Sequence, residues 1–168
     1  MWERRTFHDC ARELSAISED FRSAHTNRWG WAADRCQRVL HDSSTRGVEV
    51  LRVLALAIRS DADYGLTQIG GDAVGVIRER ASAGEVATLL ATYRSPFDAL
   101  AGYSPLRLRQ ALNKVAHANP ARCGFYADTD HHDLILTGDD RGATWIAVFS
   151  LILLCDTIRA LPDLSLRP

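Results

Sequence analysis

Arg109, Asn113 and His117 follow one another at intervals of four residues, and their types suit a chemical site. Residues at i, i+4 and i+8 share one side of an α-helix. An arginine there can hold a phosphate group, an asparagine can donate to a phosphate oxygen or fix the imidazole tautomer, and a histidine can act as general acid or base near neutral pH. The set predicts metal-independent cleavage of RNA, in which a 2′-hydroxyl group attacks the adjacent phosphate.

A second interpretation gives the same residues a structural role. The apolar residues of the segment lie on another side of the helix: Leu108, Ala111, Leu112 and Val115. The polar side can then pack against neighbouring strands, with Asn113 and His117 capping backbone groups. The sequence leaves both interpretations open.

The segment that must position these residues is predicted to be a helix over 105–118. Ser104 is a good N-cap residue, and Pro105 falls in the first turn, where a missing N–H costs nothing. Asn119 and Pro120 supply a stop signal. Both ends of this helix are therefore expected to be set by local sequence.

The run Asn113-Lys-Val-Ala-His117 resembles the signature of the HEPN superfamily, a group of all-α domains that includes many ribonucleases. That signature has an arginine, a polar residue that is often asparagine, three variable residues and a histidine. His117 matches the histidine and Asn113 matches the polar residue. Leu112 occupies the arginine position, and Arg109 lies one helical turn earlier.

The resemblance implies that two protomers pair with their motif helices facing each other. Because the arginine is missing, we expect a HEPN-like helical module without catalytic activity, which forms a homodimer and binds a protein or a nucleic acid. The alternative is a metal-independent HEPN-type endoribonuclease that uses His117 and Asn113, with Arg109 supplying charge. Neither version implies a cofactor or a metal ion.

Two further groups have competing interpretations. The segment from Asp128 to Asp133 contains carboxylates and imidazoles that suit a divalent cation, and its Asp-Thr-Asp run is also good turn chemistry. Adjacent histidines on a strand would point to opposite faces, so His131 and His132 would not share one site. Trp29 and Trp31 can form an interaction patch or anchor the core.

The composition is that of an ordinary globular protein, with 46% hydrophobic and 24% charged residues and a formal net charge of −1. A near-neutral chain lacks an overall positive potential that would attract nucleic acid, so RNA binding would require a local basic patch.

The longest apolar run, 143–155, is shorter than the roughly 20 residues that span a bilayer. No apolar signal segment follows the first residues, and four scattered cysteines suit a reducing compartment. We therefore expect a soluble, cytoplasmic protein without membrane partners.

The apolar periodicity predicts a mainly α fold, a single helical domain over 1–168 built as a bundle of five to seven helices. Helices are predicted over about 4–23, 28–41, 48–61, 66–77, 86–90, 105–118 and 150–161. A small β-hairpin is predicted at about 122–149, before the last helix. Its apolar residues should pack on the helices.

Overall fold

The chain folds into a five-stranded antiparallel sheet with helices on both faces. The structure is a computed structural model and describes residues 5–30, 32–65, 71 and 73–163. In chain order the elements are α1 (Phe7–Thr26), α2 (Ala33–Asp63), β1 (Ala73–Arg78), α3 (Ala83–Thr92), β2 (Ser104–Arg107), α4 (Leu108–His117), β3 (Gly124–Ala127), β4 (His132–Asp140), β5 (Ala143–Ser150) and α5 (Leu151–Arg159). The strand order is β2-β1-β5-β4-β3.

The two faces of the sheet pack against different helices. On one face, Trp145 and Phe149 of β5 join a large core with α1, α2, α4 and α5. On the other face, Ile146 and Val148 pack with Val86 of α3. Because both faces of β5 are covered, the strand is a continuous apolar run. Within the helix layer, α1 packs against α2 and α5, and α4 packs against α2.

The prediction of a mainly α, all-helical bundle with one small hairpin is wrong, because residues 73–78 and 104–107 form strands that complete the sheet. A register shift between Ala73 and Gly75 explains the first error. A bulge interrupts the two-residue alternation of a strand. Val74 and Ile77 therefore both reach the large core although they are three residues apart, a spacing that imitates a helix.

Ser104 and Pro105 begin strand β2 instead of capping a helix. Because β2 is an edge strand, it tolerates a proline without a ladder hydrogen bond. The following helix α4 starts at Leu108, and the Gln110 side chain accepts a hydrogen bond from the backbone N–H of Arg107 at 3.2 Å. The helix is shorter than predicted, but it contains all of the predicted site residues.

The two helices predicted over 28–41 and 48–61 are one helix, α2. The polar residues between them continue the helix, and Gly47 lies where α1 comes close: a Cβ atom there would be 3.4 Å from Ile17 Cγ2. The other predicted helices and strands are found with shifted ends: α1, α3, α5, β3, β4 and β5. The hairpin turn is tighter than predicted, since Arg141 and Gly142 alone occupy it, both with positive φ.

Parts of the sequence predictions lie outside the described residues, namely position 4 of the first predicted helix, Trp31, and positions 66–70 and 72 of the helix predicted over 66–77. Among the residues that are described, no helix combines the length and apolar character needed to cross a membrane.

Candidate functional site

The residues predicted from the sequence lie along one open side of α4. His117 is exposed and Asn113 is half-buried, and in the described part of the chain neither side chain makes a hydrogen bond. Arg109 is exposed and donates from Nη2 to Asp63 Oδ1 at 2.7 Å. The capping role that the structural interpretation gave to Asn113 and His117 is therefore not found. Arg109, which was predicted to hold a phosphate group, instead forms an ion pair with the Asp63 carboxylate.

Two further cations, one in α4 and one after it, also contact acidic groups. Lys114 Nζ lies 3.5 Å from Glu79 Oε1 and 4.4 Å from the centre of the Trp145 ring, so its side chain is mostly buried. Arg122 Nη2 lies 2.5 Å from Asp139 Oδ2. The acidic groups Asp63, Glu79 and Asp139 each lie beside one of these cations, and their negative charge lowers the attraction of this region for a polyanion.

The segment around Asp128 is a hydrogen-bonded turn. Asp128 Oδ1 accepts from the backbone N–H groups of Asp130 and His131 at 2.8 and 2.7 Å, and it lies 2.9 Å from His131 Nδ1. Burial raises the pKa of Asp128, but these hydrogen bonds outweigh it and lower the pKa to about 2. Across residues 5–30, 32–65, 71 and 73–163, no three His, Cys, Asp or Glu side chains form a group that could hold a metal ion.

His132 diverges from His131 and lies in the core between α1 and β4. Its Nδ1 is 2.8 Å from Ser18 Oγ, and its ring stacks on Phe21 with centroids 4.9 Å apart. Burial lowers the pKa of His132 to about 4, and the charges of Arg22 and His25 add to this effect. Serine and histidine within hydrogen-bond distance also occur in nucleophilic sites. Here both side chains are almost fully buried, and no carboxylate of the described residues contacts the imidazole, so the pair serves to join α1 to the sheet.

A surface at the C-terminal end of α1 combines aromatic rings with arginines. The aromatic–arginine surface consists of His25, Arg28, Trp29, Arg94, Phe125 and Tyr126. The Trp29 side chain is 88% exposed, and the Arg28 guanidinium carbon lies 5.5 Å from the centre of its ring. Phe125 is also exposed and contacts the His25 ring edge-on, with centroids 5.5 Å apart. These rings offer flat apolar faces beside positive charge.

The arginines of this surface keep their charge available. Arg28 donates to the carbonyl of His25 at 2.8 Å, and Arg94 donates to the carbonyl of Tyr93 at 2.6 Å. Neither guanidinium forms an ion pair within the part of the chain that the structure describes. Asp128 borders the surface, and its Oδ2 accepts from the Tyr126 hydroxyl at 3.0 Å. The surface therefore combines two arginines that form no such ion pair with one ionised carboxylate, Asp128, and its positive charge is in excess.

Trp29 is the one residue of this surface for which the sequence indicates an interaction role. Trp29 stands beside Arg28 and Gly30 in a short polar connection, and the sequence left it as either an interaction residue or a core anchor. The exposure of Trp29 favours the interaction role. Arg94 and Phe125 come from the end of α3 and from β3, so their proximity to Trp29 depends on the tertiary fold and has no local spacing.

Comparison with family models, curated proteins and solved structures finds no match to this chain. The HEPN resemblance therefore stays a prediction that depends on Leu112–His117. The function has to be argued from the chemistry of the described surfaces.

Proposed function

We propose that this chain is a non-catalytic binding domain that holds single-stranded RNA on the aromatic–arginine surface. The observation that carries the proposal is the almost fully exposed Trp29 ring beside Arg28 and Arg94, whose charges no described carboxylate pairs. Bases stack on exposed aromatic rings with little sequence preference, at about 1–3 kcal/mol per base. Arginine supplies planar, bidentate contacts to the phosphates between stacked bases.

A protein partner is the main competing occupant, because Trp, Tyr and Arg also dominate protein–protein hot spots. Arg28 and Arg94 outnumber Asp128 on this surface, which favours a polyanion over a mixed protein surface. With two arginines in reach of the backbone, log K should fall with log salt at a slope of about −1.4, which is shallow compared with strongly basic proteins. The proposed complex is therefore local and of modest affinity, which agrees with a net charge of −1.

A homodimer and a cytoplasmic location belong to the same proposal. The HEPN resemblance supports the dimer, which would present two aromatic–arginine surfaces and strengthen binding to one RNA strand. The free state of Cys10, Cys36, Cys123 and Cys155 supports a reducing compartment.

Replacing Trp29 with alanine tests the proposal. We expect Trp29→Ala to weaken binding of a short fluorescein-labelled single-stranded RNA by about tenfold or more, because one stacking platform is lost. Fluorescence anisotropy at low salt measures the Kd. The matched control is Tyr64→Ala, which removes an aromatic side chain that is 77% exposed. Tyr64 lies just beyond the far end of α2, a helix of 31 residues that spans about 46 Å.

The arginines give an independent readout. Arg28→Gln and Arg94→Gln should each make the salt slope shallower by about 0.7, because each removes one phosphate contact. Unchanged affinity and slope in Trp29→Ala and Arg28→Gln would remove RNA binding from this surface. If wild type binds no RNA at low salt, the proposal fails, and a protein partner becomes the better explanation for the exposed Trp29.

The ribonuclease alternative makes a separate prediction. We expect structured RNA to stay intact when incubated with the wild-type protein in EDTA, because Arg109 is held by Asp63 and Leu112 replaces the arginine of the HEPN signature. Gel electrophoresis of the RNA measures cleavage, with His117→Ala as the control. Cleavage by wild type that His117→Ala abolishes would contradict the non-catalytic proposal and favour the endoribonuclease that uses His117 and Asn113.

A further inference from the structure

An apolar cleft of about 300 Å³ opens between α2 and the β3–β4 end of the sheet, on the face that carries the large core. Leu134 and Leu136 of β4, Phe21 of α1 and Val48 of α2 are among its lining residues. This volume lies at the lower end of the range for small-molecule sites, which is about 300–1,000 Å³. The core is therefore incompletely filled at this place, and the space left is that of a small ligand.

The cleft leaves apolar surface in contact with water. Val48 is exposed although it lies on the cleft side of α2, and Leu134 is only partly buried. Removing such surface from water is favourable in proportion to its area. A ligand with an apolar body would gain this free energy without any change in the fold.

One arginine at the cleft has no partner of its own. Arg52 follows Val48 by one helical turn and lines the cleft, and it makes no ion pair or hydrogen bond with any residue that the structure describes. Arg46, on the same helix, does pair with Glu13, at 2.7 Å. The cleft thus has a positive group beside an apolar interior.

The histidine in the lining does not compete for that role. His132 uses Nδ1 to contact Ser18 and is almost fully buried. Burial keeps its pKa at about 4, so the imidazole is neutral at pH 7 and does not attract an anion. Arg52 is therefore the group that would select the charge of a ligand.

We propose that this cleft binds a small amphipathic anion, a molecule with an apolar body and one carboxylate-like group. The body lies against Leu134 and Leu136, and the anionic group lies at Arg52. A second copy of this chain is a less suitable occupant, because a stable interface buries about 800 Å² per partner, whereas this cleft is small and concave. The cleft shares Phe125 with the aromatic–arginine surface, but the groups proposed to hold the ligand, Leu134, Leu136 and Arg52, lie outside that surface.

Decanoate and its uncharged counterpart decanol are suitable probes, with Kd values measured by isothermal titration calorimetry. We expect Val48→Trp to weaken decanoate binding by about tenfold or more, because the larger side chain fills the opening. Val53→Trp is the matched control: Val53 is 45% exposed against 46% for Val48, lies on the same helix and does not line the cleft. Octanoate, which is two methylene groups shorter than decanoate, should bind more weakly than decanoate by about fourfold for each methylene removed.

The charge of the ligand is tested with Arg52→Gln. This variant should weaken decanoate severalfold and leave decanol unchanged, whereas Arg38→Gln, an exposed position of α2 outside the cleft, should change neither. Equal affinity of wild type for decanoate and decanol, together with no effect of Arg52→Gln, would overturn the proposed anion preference.

Cys123 gives a readout that does not depend on affinity measurements. It lines the cleft and is half-buried, while Cys10, Cys36 and Cys155 are buried. Burial raises the pKa of the Cys123 thiol, so alkylation by iodoacetamide is measured at alkaline pH by mass spectrometry. Decanoate should slow alkylation of Cys123 in wild type and in Val53→Trp, and much less in Val48→Trp.

Three results would overturn the proposal: decanoate binding that is equal in Val48→Trp and wild type, no protection of Cys123, or a dimer that Val48→Trp abolishes and decanoate does not displace. The dimer, measured by analytical ultracentrifugation, would make the cleft an interface between copies. Trp29→Ala should leave decanoate binding unchanged, so failure of the RNA proposal and failure of this one are distinguishable. Phe125 borders both sites and stays unmutated.

Discussion

Replacement of Gly75 by alanine is expected to destabilise the protein by more than about 3 kcal/mol, beyond the usual range for overpacking. A Cβ atom at this position would lie 2.2 Å from the Val148 carbonyl oxygen, 2.4 Å from Phe149 Cβ and 2.6 Å from Phe149 Cα. Two of these three atoms belong to the backbone of β5, which is paired with β1 on one side and β4 on the other. The strand cannot move away without losing its hydrogen bonds. Urea unfolding followed by circular dichroism measures the effect.

Gly84→Ala is the matched control. Gly84 lies in the first turn of α3, and a Cβ atom there would meet no atom closer than Ser82 Oγ at 3.9 Å. Alanine is a better helix residue than glycine, so this variant should be as stable as wild type or more stable by up to about 1 kcal/mol. A Gly75→Ala variant with the unfolding midpoint of wild type would contradict the pairing of β1 with β5, and thus the sheet that replaces the predicted bundle.

The same region shows why the sequence predicted helices where the structure has strands. The spacing of apolar residues indicates which side chains are buried together. Predicting a helix or a strand from that spacing assumes that the backbone is regular. The bulge near Gly75 breaks that assumption, so Val74 and Ile77 acquire a helical spacing in a strand. Ser104 and Pro105 match a helix start equally well, and only the neighbouring strand β1 makes them part of the sheet. Both segments are strands because each pairs with a strand that is distant in sequence: β1 pairs with β2 and β5, and β2 pairs with β1.

Where local rules were sufficient, the sequence predictions agree with the structure. The apolar pattern of β5 predicts its pairing with β4, although the turn between them, Arg141–Gly142, is shorter than predicted and the pair belongs to a larger sheet. Arg109, Asn113 and His117 all lie in α4, so their four-residue spacing places them on one side of the helix, as helix geometry alone requires. What the sequence did not reveal is that Arg109 meets Asp63, a residue 46 positions away, at the end of α2.

Acidification should destabilise this protein before its carboxylates titrate, with His132 as the main cause. Burial holds the pKa of His132 at about 4 in the folded state, against 6.5 for an unperturbed histidine. The unfolded chain therefore binds more protons between these values. Because the folded protein holds this imidazole neutral, the free energy of unfolding is highest above pH 6.5. It falls as the pH decreases towards 4, by about 3 kcal/mol in total. Burial also lowers the pKa of His25, which adds to the loss in the same direction.

The pH dependence of unfolding in urea measures this effect and separates it from later events. His132→Gln should be less stable than wild type at pH 7, because it disturbs the contact with Ser18, but its stability should change much less between pH 6.5 and 4. His41→Gln, at an exposed position of α2, should follow the wild-type profile. A steep loss that remains in His132→Gln would contradict the assignment. The pKa of the Asp128 carboxyl is lowered from 3.8 to about 2 in the folded state. The stability that this carboxylate contributes is therefore lost only between pH 3.8 and 2, in more acidic solution. The part of the slope above pH 4 that His132→Gln removes therefore reports on the buried imidazole that joins α1 to β4 in the lining of the apolar cleft.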